Sequence, residues 1–250
     1  MKFQLIRHAT MLLDINNRKI LIDPIFSEKG TTPAIENVPN QNKNPLVALP
    51  VPIESLIDCD AVLITHLHYD HFDEKAAEML PKEMRIFCQS EDEIRIRNFG
   101  FKNVSPINKS VQWGNIKITR TKGEHGHGII KKRMAPVSGY VLQTQNEPTV
   151  YITGDTVWCT PVEKILDEYK PDIIISFCGG ARFSKGKTIT MDADDISMLC
   201  KKLPSAKVIA VHMEAWNHCR LQRNKLLEFA IQNNILDQLY IPKDGENLTF

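Results

Sequence analysis

Residues 60–73 read DAVLITHLHYDHFD, a short run of the fully buried strand type that ends in His66, His68, Asp70 and His71 within six positions. A strand that is apolar on both faces must lie inside layers of structure. Titratable groups crowded together without a cation are costly to desolvate. The segment therefore calls for a rigid layered scaffold that carries the four side chains on a loop at a strand end. Either water holds them apart at a surface turn or a cation binds them, and their density favours the cation.

Three more apolar runs end in residues of the same kind. IKITRTKGE runs into His125, TVYITG into Asp155, and KVIAV into His212. Four strand ends thus deliver five histidines and two aspartates. Imidazole nitrogen with carboxylate oxygen is the ligand set expected for zinc and its first-row neighbours. Taken singly, His125 and His212 decide nothing, and Asp155 in TGDT reads equally well as a turn or helix-capping residue.

The rest of the chain organises around these ends. FQLIRH, MLLDI and KILID read as short strands, and residues 27–52 carry five prolines with no apolar period. A loop that long is usually functional or disordered, and its place before the ligand cluster predicts a loop lying over a site. FDEKAAEMLP and EDEIRIRNFG read as helices on either side of the strand RIFCQ. SVQW, NIKITRTK and the pair GYVLQT/TVYITGD read as strands. From Pro161 the pattern alternates: PVEKILDEY, DADDISMLCKKL and RLQRNKLLEFAIQNN as helices, DIIISFC, KVIAVH and QLYIP as strands. So many strands, with no linker between the halves, predict two sheets packed face to face with helices outside, in one domain over residues 1–250.

Composition sets limits on function. A net charge of +1 gives no broad pull toward nucleic acid or anionic membranes. The N-terminus is too charged for a signal peptide, and no window approaches a membrane span. Six scattered cysteines without a CxxC pair argue against a disulfide scaffold or a cysteine zinc site. A reducing cytoplasm is the expected location.

THLHYDHFD resembles the HxHxDH signature of the metallo-β-lactamase superfamily, and the later His, TGDT and final His follow that family's order. RHATMLLDI, KILIDPIF and AVHMEAW resemble its branch of ascorbate-6-phosphate lactonases and N-acylphosphatidylethanolamine phospholipases D. The resemblance spans essentially the whole chain and implies a four-layer αββα sandwich. It also implies two divalent metal ions, zinc before manganese or iron. One would lie on His66, His68 and His125, the other on Asp70, His71 and His212, with Asp155 bridging. Asp70 and Asp155 are the expected catalytic carboxylates.

The expected function is a metal-dependent hydrolase in which a metal-bound hydroxide attacks an ester-like bond. A lactone or a phosphodiester of a small metabolite fits, including a phosphate-bearing one. The alternatives are a phosphodiesterase of nuclease or phospholipase type and a non-catalytic metal-binding protein that kept the fold. Nucleic acid is a poor partner on charge, and full retention of the ligands argues against lost catalysis. A mononuclear iron dioxygenase of this fold stays open, whereas a flavin-linked di-iron oxidoreductase would need a further domain. The oligomeric state is not legible.

Several other residues carry further readings. His127 in GEHGHG contacts substrate or is solvated. Asp23 holds a ligand imidazole or only turns the chain before Pro24. His8 makes a structural hydrogen bond. Trp216 and His218 line the pocket, or Trp216 is core. Arg182, Lys185 and Lys187 lie on a Gly-rich loop that receives a phosphate or is simply solvated.

Overall fold

In the computed structural model, which describes residues 1–134 and 136–250, the apolar runs become strands of two sheets. The first half of the chain gives β1 (Lys2–Arg7), β2 (Thr10–Ile15), β3 (Arg18–Ile22), α1 (Glu54–Ile57), β4 (Ala61–Ile64) and α2 (Glu74–Met79). Then come β5 (Arg85–Gln89), α3 (Glu93–Asn98), β6 (Asn103–Ile107), β7 (Ser110–Trp113), β8 (Ile116–Lys122) and α4 (Gly128–Arg133). The second half adds β9 (Ser138–Gln143), β10 (Val150–Ile152), α5 (Thr160–Tyr169), β11 (Ile173–Phe177) and α6 (Ala193–Lys202). It closes with β12 (Lys207–Val211), α7 (Arg223–Gln232), β13 (Leu239–Tyr240) and β14 (Asn247–Thr249).

One sheet has the order β14-β1-β2-β3-β4-β5-β6 and the other β13-β12-β11-β10-β9-β8-β7. Successive side chains along a strand point to opposite faces, which sorts the apolar runs into layers. Ile20, Ile22 and Leu63 face the second sheet, while Leu21, Val62 and Ile64 face outward. Likewise Ile173, Ile175 and Phe177 point between the sheets and Ile174 points away. The outer face of the first sheet packs on Leu56 of α1, Ala76 and Ala77 of α2 and Ile96 of α3. That of the second packs on Leu166 of α5, Leu199 of α6 and Leu226 of α7. The molecule is the αββα sandwich the sequence predicts. Each fully buried Leu, Ile or Phe in these layers contributes on the order of 2 kcal/mol.

Strand direction gathers the site. β1 and β3 each pair antiparallel with β2, and β4 pairs parallel with β3. Hence β1, β3 and β4 all end at one edge of their sheet. In the other sheet β8 and β10 both run antiparallel to β9, and β11 and β12 run parallel to β10. The residues after β1, β3, β4, β8, β10 and β12 are His8, Asp23, the His66–His71 loop, His125, Asp155 and His212.

Elements absent from the sequence reading are edge or surface pieces. Ser105 and Pro106 break the apolar pattern of β6, yet an edge strand tolerates proline because one side of its backbone has no partner. β14 holds the other edge against β1 with three residues. α4 is a single exposed run, GIIKKR, with no buried residue to show in a periodicity.

The long loop is ordered and lies over the site, as predicted. Arg7 is fully buried, and its guanidinium donates to the carbonyls of Ile25, Ser27 and Val47, so the loop folds around one cation. Burial lowers the Arg7 pKa to about 10, against the pull of Asp73 and Asp244. Asn217 fixes the middle: its Oδ1 accepts from Ile35 N at 3.0 Å and its Nδ2 donates to Asn40 O at 2.7 Å. Asp73 accepts from Phe26 N and Ser27 N while it caps α2 through Ala76 N.

Candidate metal centre

The seven side chains singled out in the sequence converge, and an eighth joins them. Two groups have ligand atoms all within 4.8 Å of one another: His66, His68, His125 and Asp155, and His8, Asp70, His71 and His212. Asp155 lies against both. Its Oδ2 is 3.3 Å from His71 Nε2, 3.5 Å from His125 Nε2 and 3.8 Å from His66 Nε2. Its Oδ1 is 3.3 Å from His212 Nε2. Across the centre, His212 Nε2 and His71 Nε2 stand 3.2 Å apart.

His66, His71, His125 and His212 each have the other nitrogen engaged, which aims Nε2 inward. His71 Nδ1 donates to Asp23 Oδ2 at 2.8 Å and His125 Nδ1 to Ile189 O at 2.8 Å. Thr65 Oγ1 donates to Asp23 at 2.7 Å and so accepts from His66 Nδ1 at 3.1 Å. His212 Nδ1 faces Cys219 Sγ at 3.6 Å. Asp23 thus holds the His71 ring directly and the His66 ring through Thr65, and its φ of 43° aims the carboxylate back at Thr65 and His71. His8 and His212 also sit in the left-handed region, at φ 61° and 68°, and their backbones are joined by the His212 N–H donating to His8 O. Such strain at non-glycine residues persists only where the surroundings over-determine it.

Electrostatics show what the centre lacks. Burial opposes charge on Asp155 and Asp70, yet the surrounding imidazoles win and hold both well below the usual carboxylate range. Burial likewise opposes a proton on His71, and Asp155, Asp70 and Asp23 outweigh it. The His212 pKa is raised to about 10 by Asp155 in the same contest. By contrast burial keeps His66, His68 and His125 below the ordinary histidine value. Without a metal, the buried carboxylates can be neutralised only by protons on the His71–His212 pair. Among the described residues, Asp155 Oδ1 has no hydrogen-bond donor. A neutral nitrogen set, carboxylates that demand positive charge and an unpartnered carboxylate oxygen fit divalent cations.

The remaining candidates fall into place. His127 is exposed and precedes α4 without capping it. Trp216 is buried in a cluster with Ile25 and Ala215, so it is core. His218 lines the cavity above the centre. Arg182, Lys185 and Lys187 are exposed and outside that cavity, although Phe183 of the same loop lines it. The sequence reading gave His8 only a structural hydrogen bond. The bond exists, Nε2 to Asp70 Oδ2 at 3.3 Å, but it places His8 among the potential ligands. The available signal was that His8 also ends a strand. None of the six cysteines forms a disulfide, and no helix among the described residues is long and apolar enough to cross a membrane.

The cavity holds about 290 Å³. Its floor is His68, Asp70, His125 and Asp155, and its walls include Ile35, Leu67, Met134, Phe183 and Ile189. Arg95, near the mouth, is the one lysine or arginine among the described lining residues.

Comparison with known proteins agrees with this picture. Residues 18–213 match the model of the beta-lactamase superfamily domain. The UPF0173 protein YddR of Bacillus subtilis is 39% identical over 249 residues, 98% of each chain. An isothiocyanate hydrolase from Delia radicum gut bacteria superposes with a TM-score of 0.96 at 38% identity, covering 100% of this chain and 99% of that one. A possible metal-dependent hydrolase from Veillonella parvula does so with a TM-score of 0.97 at 35% identity and the same coverage. The chain belongs to the metallo-β-lactamase superfamily and, within it, to the UPF0173 family of metal-dependent hydrolases.

Proposed function

We propose that this hydrolase works with two divalent ions, zinc first, and cleaves a small, uncharged electrophile bearing an apolar substituent. An isothiocyanate is the leading substrate class. His66, His68 and His125 would hold one ion, Asp70, His71 and His212 the other, with Asp155 between them and His8 beside Asp70. Bound there, the ions supply Lewis acidity, lowering the pKa of water and polarising the electrophile. The chain's own residues do the rest. Asp23, Thr65 and Ile189 O fix the imidazoles, and the apolar walls exclude water and orient the substituent.

The observation that carries this reading is the cavity itself: a floor of potential ligands under walls of Ile, Leu, Met and Phe. A phosphodiester would expect more than the one guanidinium of Arg95, and the side chains of Arg182, Lys185 and Lys187 are not among the described lining. The family relation to an isothiocyanate hydrolase at 38% identity points the same way. A lactone, the ester-like choice suggested by the sequence, would meet the same walls and is the second class to try.

The test uses chelated and zinc-reconstituted protein with phenethyl isothiocyanate, a γ-lactone and bis(p-nitrophenyl) phosphate. Release of amine only after reconstitution, with metal content near two equivalents, is expected. Hydrolysis of the phosphodiester without the isothiocyanate would sink the substrate assignment, and saturation at one equivalent would sink the dinuclear one.

A further inference from the structure

His218 is a buried polar side chain on the cavity wall that neither ligand group uses. It is 6% exposed, lines the cavity and has Nε2 at 3.6 Å from Asp70 Oδ2, beyond a normal hydrogen bond. Its Nδ1 is buried with no hydrogen-bond partner. The imidazoles of His66, His71 and His125 behave differently, each with one nitrogen engaged by a hydroxyl, carboxylate or carbonyl. A buried imidazole left without hydrogen bonds costs free energy unless a bound molecule supplies the partner. The backbone around it is fixed: His218 O accepts from Arg182 N, and the neighbouring Asn217 N donates to Asn44 Oδ1 at 2.9 Å. The ring is held at the wall above the floor, where a substrate must pass.

We propose that His218 is a catalytic residue whose imidazole N–H donates a hydrogen bond to the substrate heteroatom that gathers negative charge as water adds. This rests on the hydrolytic reading of the cavity. In an isothiocyanate, R–N=C=S, the water oxygen bonds to carbon and the C=N π pair moves onto nitrogen. That nitrogen takes one of the water protons and sulfur the other, giving R–NH–C(=O)–SH. Cleavage of its C–N bond, with the thiol proton passing to nitrogen, yields R–NH2 and COS, so that R–NCS and H2O balance the products. The N–H of His218 stabilises the nitrogen while it is electron-rich. A donor aimed at the transition state acts on kcat more than on KM.

His218→Ala and His218→Asn in zinc-reconstituted protein test this. Metal content should stay at the wild-type value, and kcat with phenethyl isothiocyanate should fall on the order of 100-fold in the alanine variant. Asparagine, which keeps an N–H donor, should recover part of it, and it carries the test if the alanine variant does not fold. A second readout is calorimetric binding of thiocyanate, which presents the same linear N–C–S triad and is not turned over. Its affinity should drop about tenfold in His218→Ala, the loss of one hydrogen bond, and less in His218→Asn. Loss of a metal equivalent would make His218 a ligand and overturn the proposal, as would wild-type kcat in His218→Ala. Should the wild type fail to hydrolyse the isothiocyanate, the substrate reading falls and thiocyanate decides. Unchanged or absent binding then overturns the role of His218.

Discussion

Two of the three imidazoles in the group of His66, His68 and His125 line the cavity, whereas none of His8, His71 and His212 does. The first group is neutral because burial keeps protons off it; in the second, carboxylates hold a proton on His71 and His212, while burial keeps His8 neutral. Their supports differ in the same sense. His66 and His125 lean on a hydroxyl and a backbone carbonyl, while His71 leans on the buried carboxylate of Asp23. On the proposed reading, the half that faces the cavity would present the open coordination position and the other would anchor. Asp155 is where they meet, so a change there should erase the distinction between them.

Asp155→Asn should accordingly have the largest effect. The amide keeps the shape but loses the charge that both halves need. Hydrolysis should fall by a factor on the order of hundreds, the scale of a lost contact of several kcal/mol. Circular dichroism should show an intact fold. A folded variant with near-normal rate and full metal content would mean that the two halves do not share this carboxylate.

Asp23→Asn comes next and should act mainly on the His71 half, which it touches directly, and less on His66, which it reaches through Thr65. Outer partners of ligand imidazoles typically matter by roughly 10- to 100-fold in affinity or activity. Elemental analysis after partial chelation should show the anchoring ion lost first in this variant. In the wild type the order should reverse, because the cavity side is open to the chelator. Equal loss in both proteins would break the comparison.

How much of this was legible in the sequence follows from where each signal lies. The seven main candidates could be read because they sit next to apolar runs, and a strand end is visible as the place where such a run stops. Asp23 was legible by the same rule. His8 obeys it too, but a lone histidine carries little weight until Asp70 is seen 3.3 Å away, 62 residues further on. His218 was legible as a pocket residue just after the last candidate ligand, whereas Cys219 was beyond reach, because only the turn after β12 folds it back toward His212. The sandwich was legible from alternation within strands; β6 and β14 were not, since edge strands need no continuous apolar run. The pocket walls, drawn from five separate loops, leave no mark at any one place in the chain.

The pH dependence of metal uptake tests the halves against each other with a smaller effect. In the metal-free protein His212 has a pKa raised to about 10, so at pH 7 a proton sits on the His71–His212 pair. The 3.2 Å gap between the two nitrogens has room for one. A cation entering there must displace that proton, so affinity should rise with pH, roughly tenfold per unit, up to the raised pKa. His66, His68 and His125 lie below the ordinary value, so they are already unprotonated at neutral pH and their ion should bind without this dependence. Zinc titrations in weakly buffered solution should release about one proton for one ion and almost none for the other. Equal proton release for both ions would contradict the assignment.

The smallest expected effect belongs to His127, two residues from His125 and chemically identical to it. His125 is buried, donates to Ile189 O and points Nε2 at Asp155; His127 is exposed and precedes α4. Gly126, at φ 92°, reverses the chain between them, and a Cβ there would press on Ile189 and Ile130. The turn therefore sends alternate histidines to opposite sides, and only one can enter the centre. His125→Ala should strip metal from the cavity side and lower activity steeply. His127→Ala should leave metal content intact and activity within about twofold, since exposed surface substitutions usually change stability by under about 0.5 kcal/mol. Loss of metal in His127→Ala, with His125→Ala spared, would show that the cavity side takes its third imidazole from the other face of the turn.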